Sequence, residues 1–102
     1  MATILVLYNL PADPAAFDAY YFATHVPLAR KIPGLRGMRF NATPPLALAG
    51  SAPHLICELE FDSMSDLQAA MASPEGQATA GDLGNFAQAG VTVLAFETRP
   101  DQ

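Results

Sequence analysis

His25 is the residue of this chain whose type and surroundings best suit chemistry. Two tyrosines and a phenylalanine precede it, Pro27 follows it, and a group of cations comes next. An imidazole with a reference pKa of about 6.5 can act as a general base, or can donate a hydrogen bond to a bound oxygen. His25 is therefore the candidate catalytic residue. The other interpretation is that His25 ends a helix, where it bonds free carbonyls and interacts with the helix dipole.

Aromatic and apolar residues near His25 are the candidate substrate-binding residues. Tyr20 and Tyr21 could orient a substrate oxygen in a cleft between a helix and a sheet, although adjacent tyrosines are also typical of core packing. Tyr8 and Asn9 end the first predicted strand, where open sheets often present polar groups to ligands. The whole set is Tyr8, Tyr20, Tyr21, Phe22 and Leu28.

No pattern in the sequence indicates a metal or a cofactor. The two histidines, the single cysteine and the scattered carboxylates show none of the spacings typical of metal sites. The segment Gly81-Asp82-Leu83-Gly84 lacks the preceding strand and the further glycines of a nucleotide-binding loop. Cys57 alternates inward on a predicted strand, which favours an inert core thiol. We therefore expect no cofactor and no metal.

Four of the five basic residues lie within ten positions, at Arg30, Lys31, Arg36 and Arg39. One interpretation is that they steer an anionic substrate. The other is that Arg36 and Arg39 face glutamates across a hairpin, where opposite charges are mildly stabilising.

Composition limits the class of protein. The chain has 102 residues, of which 51% are hydrophobic and 15% are charged, and its net charge is −5. These values favour one globular domain over residues 1–102 and argue against partners such as nucleic acid or an anionic membrane. No stretch resembles a signal peptide or a membrane span, and a lone cysteine suits a reducing compartment. We therefore expect a cytoplasmic protein.

The elements that would position His25 follow from hydrophobic periodicity, caps and breakers. The predicted order is strand Thr3–Asn9, a helix from Pro14 that Pro33-Gly34 ends, strands Leu35–Asn41 and His54–Phe61, a broken helical segment Met64–Phe86, and strand Val91–Glu97. The segment Ala42–Pro53 is predicted to be a loop with an apolar middle, which could help to close a pocket.

The first helix has an apolar stripe that predicts where His25 points. The stripe comprises Phe17, Tyr20, Tyr21, Thr24 and Leu28. At about 100° per residue, His25 lies about 80° from Phe17, on the flank of this stripe. Because Pro27 cannot donate to the carbonyl four residues back, the helix should kink or restart near His25.

The order β-α-β-β-α-β predicts an α+β ferredoxin-like sandwich, a four-stranded antiparallel sheet with two helices on one face. Its other face would lie bare, although the first strand is apolar on both sides, with Ile4, Val6 and Tyr8 on one and Leu5 and Leu7 on the other. Such a surface favours a second copy packed against it. We therefore expect a homodimer joined through the sheet faces.

The segment Thr24–Leu35 resembles the signature of EthD-like proteins, in which a helix carrying His-x-Pro-Leu is followed by Pro-Gly-Leu. The resemblance implies a dimeric α+β barrel, with ligands between the helices and the concave side of the sheet, and His25 as the motif histidine. The family is named after ethyl tert-butyl ether degradation. Relatives include cofactor-independent monooxygenases, muconolactone isomerases and polyketide cyclases. Members are often labelled reductases, but nothing in this sequence indicates a redox cofactor.

Three functions are compatible with these residues. The first is a cofactor-independent enzyme that acts on a small, apolar, oxygen-bearing molecule by proton transfer, oxygenation, isomerisation or cyclisation, with His25 as acid or base. The second is a non-catalytic binding or accessory protein for a hydrophobic metabolite in a degradation pathway. The third is a structural dimer with no cavity of ligand size.

Overall fold

The architecture is a four-stranded antiparallel sheet with a helical layer. The computed structural model describes residues 1–101, with the strands in the order β2-β3-β1-β4. The elements are β1 (Ala2–Tyr8), α1 (Pro14–Tyr20), a π-helical turn (Tyr21–His25), α2 (Val26–Arg30), β2 (Gly37–Phe40), β3 (Leu55–Phe61), α3 (Met64–Ala72), α4 (Pro74–Phe86) and β4 (Val91–Glu97). This arrangement confirms the predicted ferredoxin-like fold, with each of the two predicted helices divided into shorter segments.

Alternation along the strands places the core on the helical side of the sheet. In the central strand β1, Tyr8 lies opposite Leu55 of β3 and Val91 of β4. Because successive side chains of a strand point to opposite faces, every second residue of β1 and β3 is buried. On these two strands the buried residues of this face are Ala2, Ile4, Val6, Tyr8, Leu55, Cys57, Leu59 and Phe61, and Thr3 of β1 is buried as well. The alternation predicted for β3 is confirmed.

Polar caps define where the helices begin. The Asp13 side chain accepts from the backbone of α1, and Ser63 accepts from the backbone of α3. Ser73 caps α4 in the same way, next to Pro74 in its first turn. The corner between α3 and α4 is tight: a Cβ added at Gly76 would lie 2.1 Å from the carbonyl oxygen of Ala70. This corner therefore depends on glycine.

The first helix differs from the prediction at the π-helical turn. The Val26 N–H donates to the carbonyl of Tyr21, five residues back, instead of four. The turn thus holds one extra residue, which changes the direction in which the side chains from Thr24 onward point. Thr24, predicted to lie on the apolar stripe, is exposed, whereas His25 and Ala29 are buried. His25 consequently points inward and not to the flank that a regular helix gives.

The connection between β2 and β3 is a long loop. Strand β2 is shorter than the predicted Leu35–Asn41, and the loop runs from Asn41 to His54. Asn41 fixes its base, because its Oδ1 accepts from the Ile56 N–H at 2.8 Å and its Nδ2 donates to the Thr43 carbonyl at 3.0 Å. Leu46 and Leu48, in the middle of the loop, are both exposed.

The face of the sheet opposite the helices has an apolar half and a charged half. Leu94 and Phe96 of β4 are exposed there, next to the partly buried Leu5 and Leu7 of β1. On the other half, Arg39 of β2 pairs with glutamates of β3. Covering the apolar half of this face with another protein surface would therefore be favourable, because it removes hydrocarbon from water.

Candidate functional site

Asp82 of α4 joins three side chains in a buried network. Its Oδ2 lies 2.9 Å from Nδ1 of His25. Its Oδ1 accepts from the Tyr20 hydroxyl at 2.6 Å and from Nδ2 of Asn85 at 2.9 Å. Asp82 is 7% exposed and His25 is 5% exposed. The network therefore connects α1 and the π-helical turn to α4 through a carboxylate that is shielded from water.

Hydrogen bonding keeps the Asp82 carboxylate charged. Burial alone would raise its pKa, but hydrogen bonds from Tyr20, Asn85 and His25 outweigh this and hold the pKa below its ordinary value. The hydrogen bond to Asp82 raises the pKa of Tyr20, which stays a neutral donor. An ionised carboxylate only accepts hydrogen bonds, so the ring proton of His25 must lie on Nδ1, the nitrogen that faces Asp82. Nε2 is then the nitrogen that can accept a proton.

The ring of His25 is fixed by aromatic contacts. It stacks on Tyr21 with a centroid separation of 5.4 Å and lies 4.7 Å from the Phe86 ring. Nε2 has no hydrogen-bond partner within residues 1–101. No fully buried side-chain nitrogen or oxygen in this part of the chain lacks a partner, so Nε2 keeps access to solvent or a ligand. The arrangement resembles a general base with an orienting carboxylate.

An apolar cavity of about 280 Å³ lies between α4 and the sheet. Its size is close to the lower limit for small-molecule sites. Tyr8 lines this cavity, whereas His25 is not among its lining residues. Tyr21 lies between them, with ring centroids 5.3 Å from Tyr8 and 5.4 Å from His25. The other principal lining residues are Ile4, Val6, Ile32, Leu59, Thr79 and Leu83.

The predicted site residues occupy different places in the structure. Tyr20 reaches Asp82 together with His25, and Tyr21 packs against His25 inside the core. Phe22 lines a groove beneath the β2–β3 loop, and Leu28 lies in a shallow depression beside α4. The structure therefore brings Tyr20, Tyr21 and His25 together. It places Tyr8 and Phe22 one side chain away, both against Tyr21, and leaves Leu28 outside this cluster.

Sequence reasoning missed Asp82 and Asn85. A signal was present, because Asp82, Asn85 and Phe86 are spaced so that they share one helical face. The aromatic Phe86 indicates that this face is buried, and a buried carboxylate requires partners. The glycines around Asp82 obscured the helical pattern. The interpretation of His25 as a helix-end residue bonded to free carbonyls does not hold, since its Nδ1 partner is Asp82.

The buried phenols and the thiol near the site are held in their neutral forms. Burial raises the pKa values of Tyr8 and Tyr21 far above the ordinary value. Burial also raises the pKa of the Cys57 thiol to about 11. Cys57 is thus an inward-facing core thiol, as predicted, and a poor nucleophile at neutral pH.

Two of the four clustered cations, Arg36 and Arg39, form surface pairs away from this network. Arg39 pairs with Glu60, and its Nε lies 3.6 Å from Glu58, as the hairpin interpretation predicted. Arg36 pairs instead with Asp62 at 2.9 Å. Within residues 1–101, no cluster of three or more His, Cys, Asp or Glu side chains is placed to hold a metal ion. In the same range, no helix is long and apolar enough to cross a membrane.

Comparison with known proteins gives one family and one fold. The EthD domain family matches residues 9–90. An 11.0 kDa Rhodococcus erythropolis protein from the thcB–thcC intergenic region is 45% identical over 92% of this chain and 91% of its own length. The crystal structure of an ethyl tert-butyl ether degradation (EthD) family protein from Bacillus halodurans is 39% identical, with a TM-score of 0.87 over 97% of this chain and 99% of that one.

More distant structures share the architecture. SnoaB from Streptomyces nogalater, a cofactor-independent oxygenase, is 16% identical, with a TM-score of 0.66 over 97% of this chain and 93% of that chain. A dimeric ferredoxin-like protein from Thermobifida fusca is 14% identical, with a TM-score of 0.69 over 95% of this chain and 90% of that chain. At such identities the likeness establishes the fold alone.

Proposed function

The chain belongs to the EthD family, and from this premise we propose that it is a cofactor-independent enzyme in which His25 transfers a proton to or from a small, apolar, oxygen-bearing molecule. The observation that carries the proposal is the buried His25–Asp82–Tyr20 network beside an apolar cavity. A carboxylate is rarely buried without partners, and here its partners fix the tautomer of an imidazole.

The proposed chemistry uses Nε2 of His25 as the base. When Nε2 takes a proton from the substrate, the imidazole becomes positively charged, and the Asp82 carboxylate 2.9 Å from Nδ1 stabilises that charge. Tyr20 and Asn85 hold the other carboxylate oxygen, so Asp82 stays directed at His25. Positioned acid–base groups of this kind contribute about 10²–10⁴ in rate.

The cavity, from which Tyr21 separates His25, supports the proposed class of substrate. A volume of about 280 Å³ corresponds to roughly nine water molecules at ~30 Å³ each, which suits a compact molecule of one or two rings. Most of its wall is hydrocarbon, with Tyr8 and Thr79 as its hydroxyl-bearing side chains. The relation of the fold to SnoaB, a cofactor-independent oxygenase, supports a reaction that needs no resident cofactor.

Exchange of a carbon-bound proton tests this function without knowledge of the natural substrate. The probe is 2-indanone in D₂O, whose α-protons exchange for deuterium through an enolate, followed by NMR. We expect the protein to accelerate the exchange, and His25→Ala to lose about 10²–10⁴ of the acceleration. Asp62→Asn, on the surface away from the network, is the control and should exchange at the wild-type rate. Equal acceleration by His25→Ala would contradict a catalytic His25.

A binding or accessory protein is the second candidate, and one observation favours it: His25 does not line the cavity. In that case 2-indanone should bind, as seen by chemical shift changes at Leu83 and Tyr8, but its protons should not exchange faster. Ala80→Leu, which adds bulk at the cavity wall, should abolish binding under either function. The exchange rate thus separates the two candidates.

The protein is further proposed to be a homodimer joined through the sheet faces. Support comes from the exposed Leu94 and Phe96, which continue the apolar surface of Leu5 and Leu7. The Thermobifida fusca protein of the same fold is dimeric. A twofold axis that brings the two apolar halves together would leave the charged Arg39 edge of each sheet at the periphery.

A further inference from the structure

A second histidine–aspartate pair lies outside the network already described. Nε2 of His54 is 2.8 Å from Oδ1 of Asp18. Both side chains line a groove of about 410 Å³ beneath the β2–β3 loop. We propose that this groove is a separate binding site for a small aromatic molecule that carries a protonated amine. The proposal is independent of the acid–base function assigned to His25.

The unpaired polar atoms at this pair are hydrogen-bond acceptors. Because the Asp18 carboxylate only accepts, Nε2 of His54 carries the proton between them. In the neutral imidazole Nδ1 is then an acceptor, and it has no partner within residues 1–101. The Asp18 side chain is 48% exposed, so its second oxygen can reach a ligand. The Asn41 amide lines the groove as well, and its oxygen and one of its two N–H groups already form the hydrogen bonds that hold the loop.

Charge favours a cation over an anion at this site. With His54 neutral, Asp18 contributes a net negative charge, and none of the residues that line the groove is lysine or arginine. The chain as a whole carries a net charge of −5. A protonated amine can form a charge-assisted hydrogen bond to Asp18, whereas a carboxylate ligand would face like charge.

Apolar surface in the groove favours an aromatic ring on the ligand. Phe22 and Leu10 line it and are exposed, and Pro44, Pro45 and Pro53 complete the apolar wall. A ring placed against these side chains buries hydrocarbon, and the neighbouring ammonium can lie over the face of Phe22. Phe17 packs edge-on against His54, with centroids 5.4 Å apart, and holds the imidazole in place.

Three matched probes test the site by NMR titration of the full chain. Benzylamine carries the ammonium, benzyl alcohol is its neutral counterpart, and benzoate reverses the charge. Benzylamine should shift the His54 and Phe22 signals saturably with a dissociation constant in the millimolar range, as expected for about eight non-hydrogen atoms. Benzyl alcohol should bind about tenfold more weakly, since it lacks the charge, and benzoate should not bind.

The Asp18→Asn variant measures the contribution of the carboxylate. It should weaken benzylamine binding about tenfold and remove the preference over benzyl alcohol, because the charge-assisted bond is lost. Asp62→Asn, which changes the net charge equally at a distant surface position, should leave binding unchanged. Unshifted His25 signals in both variants would show that the fold is intact.

Three results would overturn the proposal. One is the absence of saturable shifts at His54 with benzylamine up to about 20 mM, well above the expected dissociation constant. Another is equal binding of benzoate. The third is an equal effect of Asp62→Asn and Asp18→Asn. If Asp18→Asn failed to fold, the order of the three probes on the wild-type protein would decide the question.

Discussion

Removal of the Asp82 carboxylate should destabilise the fold far more than removal of an exposed carboxylate. Asp82→Ala leaves the Nδ1–H of His25, the Tyr20 hydroxyl and the Asn85 amide without the acceptor that they share. Each buried donor that is left without an acceptor costs about 1–3 kcal/mol, and we expect about 3–4 kcal/mol in all because Tyr20 and Asn85 can reach water. Asp82→Asn keeps one oxygen acceptor and should cost about 1–3 kcal/mol.

Urea denaturation at pH 7, followed by circular dichroism, gives these free energies of unfolding. The pH dependence supplies a second measurement. Because the pKa of Asp82 in the folded state lies below its ordinary value, its contribution is present above pH ~4 and is lost as pH falls through the folded-state pKa. The wild-type free energy should therefore fall more steeply than that of Asp82→Asn below about pH 4.

Asp62 provides the matched control. It pairs with Arg36 at 2.9 Å, but both side chains are more than half exposed. Removal of such a surface pair costs about 0–1 kcal/mol, so Asp62→Ala should unfold almost as the wild type does. If Asp82→Ala costs no more than Asp62→Ala, then the carboxylate is not held by the buried network, and the argument for a fixed His25 tautomer fails.

Three further predictions concern the helical corner, the buried thiol and the sheet face. Gly76→Ala should cost about 1–3 kcal/mol in urea denaturation because its Cβ meets a carbonyl oxygen. Gly81→Ala, which has open space around the added Cβ, should instead raise the free energy of unfolding by about 0.5–1 kcal/mol. If Gly76→Ala were as stable as the wild type, the corner would not be tight. Burial raises the pKa of the Cys57 thiol to about 11, so the thiol is deprotonated at a lower pH in the unfolded chain than in the folded protein. The free energy of unfolding should then fall by up to about 1.4 kcal/mol per pH unit above pH ~9, and less so in Cys57→Ala. Leu94→Asp should shift the protein toward monomer in sedimentation, whereas Leu48→Asp, on a side chain that is 92% exposed, should not. Identical sedimentation of the two variants would argue against the sheet-face dimer.

The strands were predictable because their signals are local. Cys57, Leu59 and Phe61 alternate with glutamates, and this period fixes both the strand and the face that is buried. The Val91–Glu97 strand was predicted with its observed bounds, and Ser73-Pro74 marked the start of α4. In each case neighbouring residues suffice to determine the structure, so the order of elements and the fold class followed.

The site was less predictable because it depends on distant parts of the chain. His25 and Asp82 are 57 positions apart, and no periodicity in either helix connects them. The direction of His25 also depends on the turn at Tyr21, where a hydrogen bond spans five residues. A uniform 100° step cannot represent such a turn, so the helical wheel placed the imidazole on the flank.

The widened turn at Tyr21–His25 bears on how relatives of this protein should be compared. The inward direction of the imidazole depends on the number of residues in that turn as well as on the presence of histidine. A homologue that lacks one residue there could align the same His-x-Pro-Leu letters and yet direct the ring toward water. Transfer of a role from one member to another should therefore require the spacing and the distant aspartate together, and not the motif alone.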